Sequence, residues 1–109
     1  MSLSVSSKQV GGEAVLQIAG DIDAHSSSKL RRELAGLFDA SLQVIRVQLD
    51  GVEHMDSSGV ATLSEGVLWS RRTGGHFILS GLSRSVTDVL ELAKLDDVFE
   101  VDRSQGERV

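Results

Sequence analysis

Two hydrophobic periodicities alternate along this chain, and the alternation leaves few folds open. Val5 to Val10 and Ala14 to Ala19 flank Gly11-Gly12, which reads as two strands joined by a tight turn whose glycines accept positive φ. After Ser26-Ser27-Ser28, the residues Leu30, Leu34, Leu37 and Phe38 recur at helical spacing, with Lys29, Arg31, Arg32 and Glu33 expected to face outward. Gln43 to Asp50 returns to a period of two. Ile45, Val47 and Leu49 share one face, Val44 takes the other, and Arg46 and Gln48 are expected near an edge or end. A second helix is predicted over about Ser58 to Arg72, with Val60, Leu63, Val67 and Leu68 as its buried face and Trp69 as a large packing residue. Arg71 and Arg72 suit the negative end of its dipole, and Gly74-Gly75 stops it. His76 to Ser80 is a short strand. A third helix opens at Ser83 or Ser85, since Ser85-x-x-Asp88 resembles a capping box, and Val86, Val89, Leu90, Ala93 and Leu95 form its core face. Val98 to Val101 is a last short strand, and the polar tail, about 103 to 109, is expected to fray or form a short terminal helix.

The resulting order, β-β-α-β-α-β-α-β, specifies an α/β fold. Strands that alternate with helices pair in parallel through right-handed crossovers, and the first hairpin adds an antiparallel edge. A small, mostly parallel sheet packed with three to four helices is therefore expected, as one domain over residues 1–109. A chain of this length buries roughly 65% of its unfolded surface, enough for a core without staples.

Composition narrows the function. There is no cysteine, so disulfides, thiolate metal sites and thiol nucleophiles are excluded. The net charge of −5 comes with no basic stripe, which argues against direct nucleic-acid binding or an anionic membrane surface. No apolar run approaches the roughly 18 residues of a membrane span, and the N-terminus lacks the build of a signal peptide, so no membrane insertion and a cytoplasmic location are expected. His25, His54 and His76 match no metal-binding spacing. Gly-x-Ser-x-Gly is absent, Gly81-Leu82-Ser83-Arg84-Ser85 missing it at the last position, and this leaves a small serine hydrolase as a remote alternative. There is no Gly-x-x-x-x-Gly-Lys-Ser/Thr, hence no phosphate-binding loop of the chain's own and no cofactor to expect.

What remains is Asp56-Ser57-Ser58-Gly59, two hydroxyls and a carboxylate where a strand ends and a helix begins. The first N–H groups of a helix lack intrahelical partners and the dipole is positive there, so an oxygen-rich side chain or a phosphate fits. Capping alone accounts for one of the three side chains.

Together with Gly20-Asp21-Ile22-Asp23, with Leu49-Asp50-Gly51-Val52 leading into Met55-Asp56-Ser57-Ser58-Gly59, with Gly74-Gly75 and with the segment Leu82 to Phe99, this stretch resembles the STAS domain family of bacterial anti-sigma factor antagonists, over nearly the whole chain. The resemblance implies a STAS-like fold and a regulatory binding module rather than an enzyme, with no catalytic residue. It implies that Ser58 accepts phosphate from a partner serine kinase that is also the anti-sigma factor and that uses ATP. It also implies that the unphosphorylated chain binds this partner and the phosphorylated chain lets go, in the control of stress-response transcription. A phosphatase and a homodimer are further partners to consider. Asp23, Asp56, Ser57, Ser58 and Gly59 map to the partner-binding surface, Gly59 keeping bulk away from the hydroxyl. His54 departs from the apolar residue usual at its position. A STAS subunit supporting an ABC-type lipid transporter is the alternative within the fold; the Ser57-Ser58 pair favours the antagonist.

Overall fold

The computed structural model describes residues 3–102, and the expectations for the polar tail lie outside them. Strands β1 (Leu3–Val10) and β2 (Glu13–Ile22) form the antiparallel hairpin, closed by a two-residue turn in which Gly11 takes φ +62°. The chain continues through α1 (Ser27–Phe38), β3 (Val44–Met55), α2 (Ser57–Thr73), β4 (His76–Ser80), α3 (Arg84–Leu92) and β5 (Glu100–Asp102). The five strands lie in chain order, β1 to β5. Every pair after the hairpin is parallel, as right-handed crossovers through successive helices require.

The helices cover one face of the sheet. Ala14, Leu16 and Ile18 on β2, Ile45, Val47 and Leu49 on β3, and Phe77 and Leu79 on β4 are buried beneath them. Residues of the opposite parity (Val15, Gln17, Arg46, Gln48) are exposed or half-buried on the bare face. Arg46 and Gln48 therefore lie mid-sheet on the helix-free side of a central strand, not at an edge. Arg46 pairs there with Asp102 at 3.0 Å.

Trp69 is 1% exposed and stacks on Phe38, ring centroids 5.9 Å apart. Gly66 brings α2 onto β4: a Cβ there would stand 2.3 Å from the Phe77 ring. Because α2 is wedged between α1 and α3, its buried surface runs through Val60, Leu63, Val67, Thr62, Gly66 and Trp69. Leu68, expected inside, falls on the remaining outer strip at 57% exposure. Ala93 is exposed as well, because α3 ends at Leu92 and Lys94 turns the chain away at φ +60°. Ser83, not Ser85, caps α3, its Oγ accepting from Val86 N–H at 3.2 Å. Ser85 Oγ instead donates to the Glu53 carbonyl at 2.7 Å.

Strands β2 and β3 run further than their alternation suggests, to Ile22 and Met55, and the last strand starts two residues later than expected. The β2–β3 ladder survives register shifts at Gln17/Ala19 and Gly20/Asp21, and Gly51 lies so close to Ala19 that a Cβ would sit 2.8 Å from the alanine methyl.

Candidate functional site

The carboxyl ends of β2 and β3 are adjacent, and both strands feed helices there. Such ends are where open parallel sheets present their binding residues. Asp56 is the N-cap of α2, with extended backbone (φ −108°, ψ −169°), and its Oδ1 accepts from Ser58 N–H at 2.8 Å. Its own N–H donates to the Ile22 carbonyl at 3.0 Å, which ties the start of α2 to the end of β2. Capping thus uses Asp56 and leaves both hydroxyls. Ser57 is exposed and Ser58 half-buried, and neither Oγ makes a hydrogen bond among the described residues.

The loop after β2 is organised by Asp23. Its Oδ1 accepts from Ser26 N–H at 3.0 Å and from His25 N–H at 2.9 Å, while its carbonyl accepts from Ser27 N–H at 2.8 Å. Ser26 Oγ accepts from Asp23 N–H at 3.0 Å, and its hydrogen faces both the Asp21 carbonyl at 2.8 Å and Asp23 Oδ1 at 3.2 Å. The Ser26 N–H, followed by the His25 N–H and the Ser26 hydroxyl, holds the Asp23 carboxyl below its usual range against the opposing effect of desolvation. Asp23 is therefore a loop organiser as well as a surface acid. Sequence reasoning missed Ser26, one of three like serines whose buried role rests on a backbone curl that no periodicity encodes.

Gly59 is buried beneath the helix start, where a Cβ would stand 2.4 Å from Met55 Cγ and 2.8 Å from Ile22 Cγ2. It lets α2 seat on the strand ends. Asp23, Asp56, Ser57 and Ser58 do share the accessible rim.

Two further side chains border this rim. His54 Nδ1 lies 3.4 Å from Asp21 Oδ1, its register partner across β2–β3. Arg31, expected to face solvent, leans from α1 onto α2: its Nε is 3.1 Å from Glu65 Oε2 and its Nη2 3.4 Å from Thr62 Oγ1. Thr62 Oγ1 in turn donates to the Ser58 carbonyl at 2.8 Å. A helix-wheel pattern cannot show that a polar position is claimed by a neighbouring helix.

Among the described residues the rim thus brings together two hydroxyls without hydrogen bonds and two carboxylates. The STAS domain family profile matches residues 4–107. An anti-sigma-B factor antagonist of Bacillus subtilis is 28% identical over 107 residues, covering 97% of each chain. The anti-sigma factor antagonist SpoIIAA in its unphosphorylated form superposes with a TM-score of 0.79 at 19% identity, over 94% of this chain and 91% of that one. The Bacillus cell fate determinant SpoIIAA in the phosphorylated form gives 0.72 at 18% identity, over 94% and 95%.

Proposed function

The chain belongs to the STAS domain family, and from that premise we propose that it is an anti-sigma factor antagonist switched by phosphorylation of Ser58. Unphosphorylated, it binds an anti-sigma factor that is also a serine kinase, and so releases the sigma factor. The observation that carries this reading is the division of labour at the start of α2. Asp56 caps the helix N-terminus, and Ser58 Oγ makes no hydrogen bond among the described residues on an accessible rim.

In the transfer, Ser58 Oγ attacks the terminal phosphorus of a nucleoside triphosphate held by the partner. The new O–P bond forms as the bond to the diphosphate leaving group breaks, and the hydroxyl proton passes to a base of the partner. The phosphate adds about −1.5 to −2 charge near neutral pH. It does so beside Asp56 and Asp23, in a contact that water leaves on binding. A penalty of about 3 kcal/mol follows if the partner offers no cation, roughly 100-fold in affinity. No change of fold is needed, and SpoIIAA, which has been solved in both states, retains this fold in each.

The test is phosphosite mapping by mass spectrometry after incubation with the cognate kinase and ATP. One phosphate on Ser58 is expected, lost in Ser58→Ala and kept in Ser57→Ala, with Ser58→Ala still binding the kinase. Labelling confined to Ser57, or undiminished in Ser58→Ala, would overturn the assignment.

A further inference from the structure

The strip of α2 that carries Ser58 also carries Thr62 and Glu65, at i+4 and i+7, and this strip faces α1. The guanidinium of Arg31 lies along it, paired with Glu65 at 3.1 Å and 3.4 Å from Thr62 Oγ1. We infer that, once Ser58 carries a phosphate, Arg31 of the same chain leaves Glu65 and pairs with it. The inference rests on Ser58 being the modified residue, and it adds an internal phosphate-binding cation that the sequence pattern places in solvent.

Three features support the move. Both helices run back against parallel strands, so α1 and α2 point the same way, and helix side chains tilt toward the N-terminus. A rotamer change that tips Arg31 further N-terminally therefore carries its head along the strip past Thr62, which it already approaches, to Ser58, about one helical turn beyond Thr62 and two from Glu65. Arg31 and Glu65 are 48% and 42% exposed, so the existing pair is a weak, solvent-screened one that is easily exchanged. A phosphate dianion also offers the planar guanidinium a stronger, bidentate partner than a single carboxylate oxygen does. The other titratable groups bordering the rim are Asp56 at the N-cap of α2 and Glu65 on α2, Asp23 and His25 in the loop before α1, and Asp21 with His54 at the strand ends. The acids among them repel the phosphate and His54 lies against Asp21 on the strands, which leaves Arg31 as the guanidinium already resting on the α1–α2 face. The phosphorylated rim would then present a closed internal ion pair, and a partner cation would compete for it poorly.

The experiment uses the full chain with phosphoserine installed genetically at position 58, so that no kinase is required. A 31P NMR titration should give a second phosphate pKa about half a pH unit or more lower with Arg31 than in Arg31→Ala. Arg31→Lys should recover part of the difference, and the Arg31 Nε–H resonance should move on phosphorylation. Phosphoserine at position 57, about 100° round the helix, should be indifferent to Arg31→Ala. An unchanged pKa in Arg31→Ala, or equal responses at 57 and 58, would overturn the pairing. Kinase labelling at a residue other than Ser58 would instead overturn the functional reading and the pairing's regulatory role, whatever the titration gives.

Discussion

Replacing Gly59 by alanine sets two opposed effects against each other where the helix, the strand ends and the proposed phosphoacceptor meet. Alanine is the better helix former by about 1 kcal/mol. The added methyl, however, would stand 2.4 Å from Met55 Cγ, 2.9 Å from Met55 Sδ and 2.8 Å from Ile22 Cγ2. Carbon–carbon contact needs about 3.5–4.0 Å, so α2 must lift, or Met55 must shift by more than about 1 Å and Ile22 by roughly 0.7–1.2 Å. Overpacking of this kind costs about 1–3 kcal/mol. Met55 can yield through its flexible chain, but Ile22 is branched and fully enclosed, so the clash outweighs the propensity gain. The net loss should be up to about 2 kcal/mol, a fall in Tm of up to roughly 8–16 °C. Because Ser58 precedes the clash directly, its rate of phosphorylation should fall too. Chemical denaturation of the single variants and of the double variant Gly59→Ala/Met55→Ala supplies the check. The methyl should cost at least about 1 kcal/mol less when Met55 is truncated, since the two sites then share one space. A Gly59→Ala variant as stable as the parent, with no coupling to Met55, would refute the inward packing. It would return Gly59 to a surface role.

Asp23→Asn should lower Tm at neutral pH, through loss of the ionised hub of the β2–α1 loop. Since the Asp23 carboxyl is held below its ordinary value of 3.8, its contribution is complete above that value and is lost as pH falls through the lowered folded-state value. Parent and variant should accordingly begin to converge in acid-unfolding curves only as pH falls below 3.8 and meet below the lowered folded-state value, and a difference that persists there would show that geometry rather than charge is at stake. Trp69 should emit as a buried indole and resist acrylamide, because it is enclosed against Phe38; free quenching in the native state would contradict that placement.

Much of the architecture was legible because the hydrophobic periods of 2 and 3.6 never overlap in this chain. Leu30, Leu34 and Leu37 on α1 and Ile45, Val47 and Leu49 on β3 are buried as their spacing demands. The failures share a physical origin, contacts that cross between elements. Leu68 is exposed because α2 is gripped from two sides, and the faces so buried are chosen by neighbours rather than by its own stripe. Asp21 and Ile22 lie beyond Gly20, which interrupts the alternation, yet the ladder to His54 and Met55 resumes past the register shift. At the site, the Asp-Ser-Ser-Gly run located the helix start and its cap. Arg31 was hidden because its partners lie 31 and 34 residues away.

The hydrogen bond from Asp56 N–H to the Ile22 carbonyl has a bearing on association rates. It joins the loop held by Asp23 to the helix held by Asp56 through one short piece of backbone, so the two halves of the rim cannot drift apart independently. A partner therefore meets a surface already in its docked shape, and little ordering entropy opposes the encounter. Binding through such a rim should proceed near the rate set by diffusion and orientation, with one kinetic phase, and modification of Ser58 should show mainly as faster dissociation.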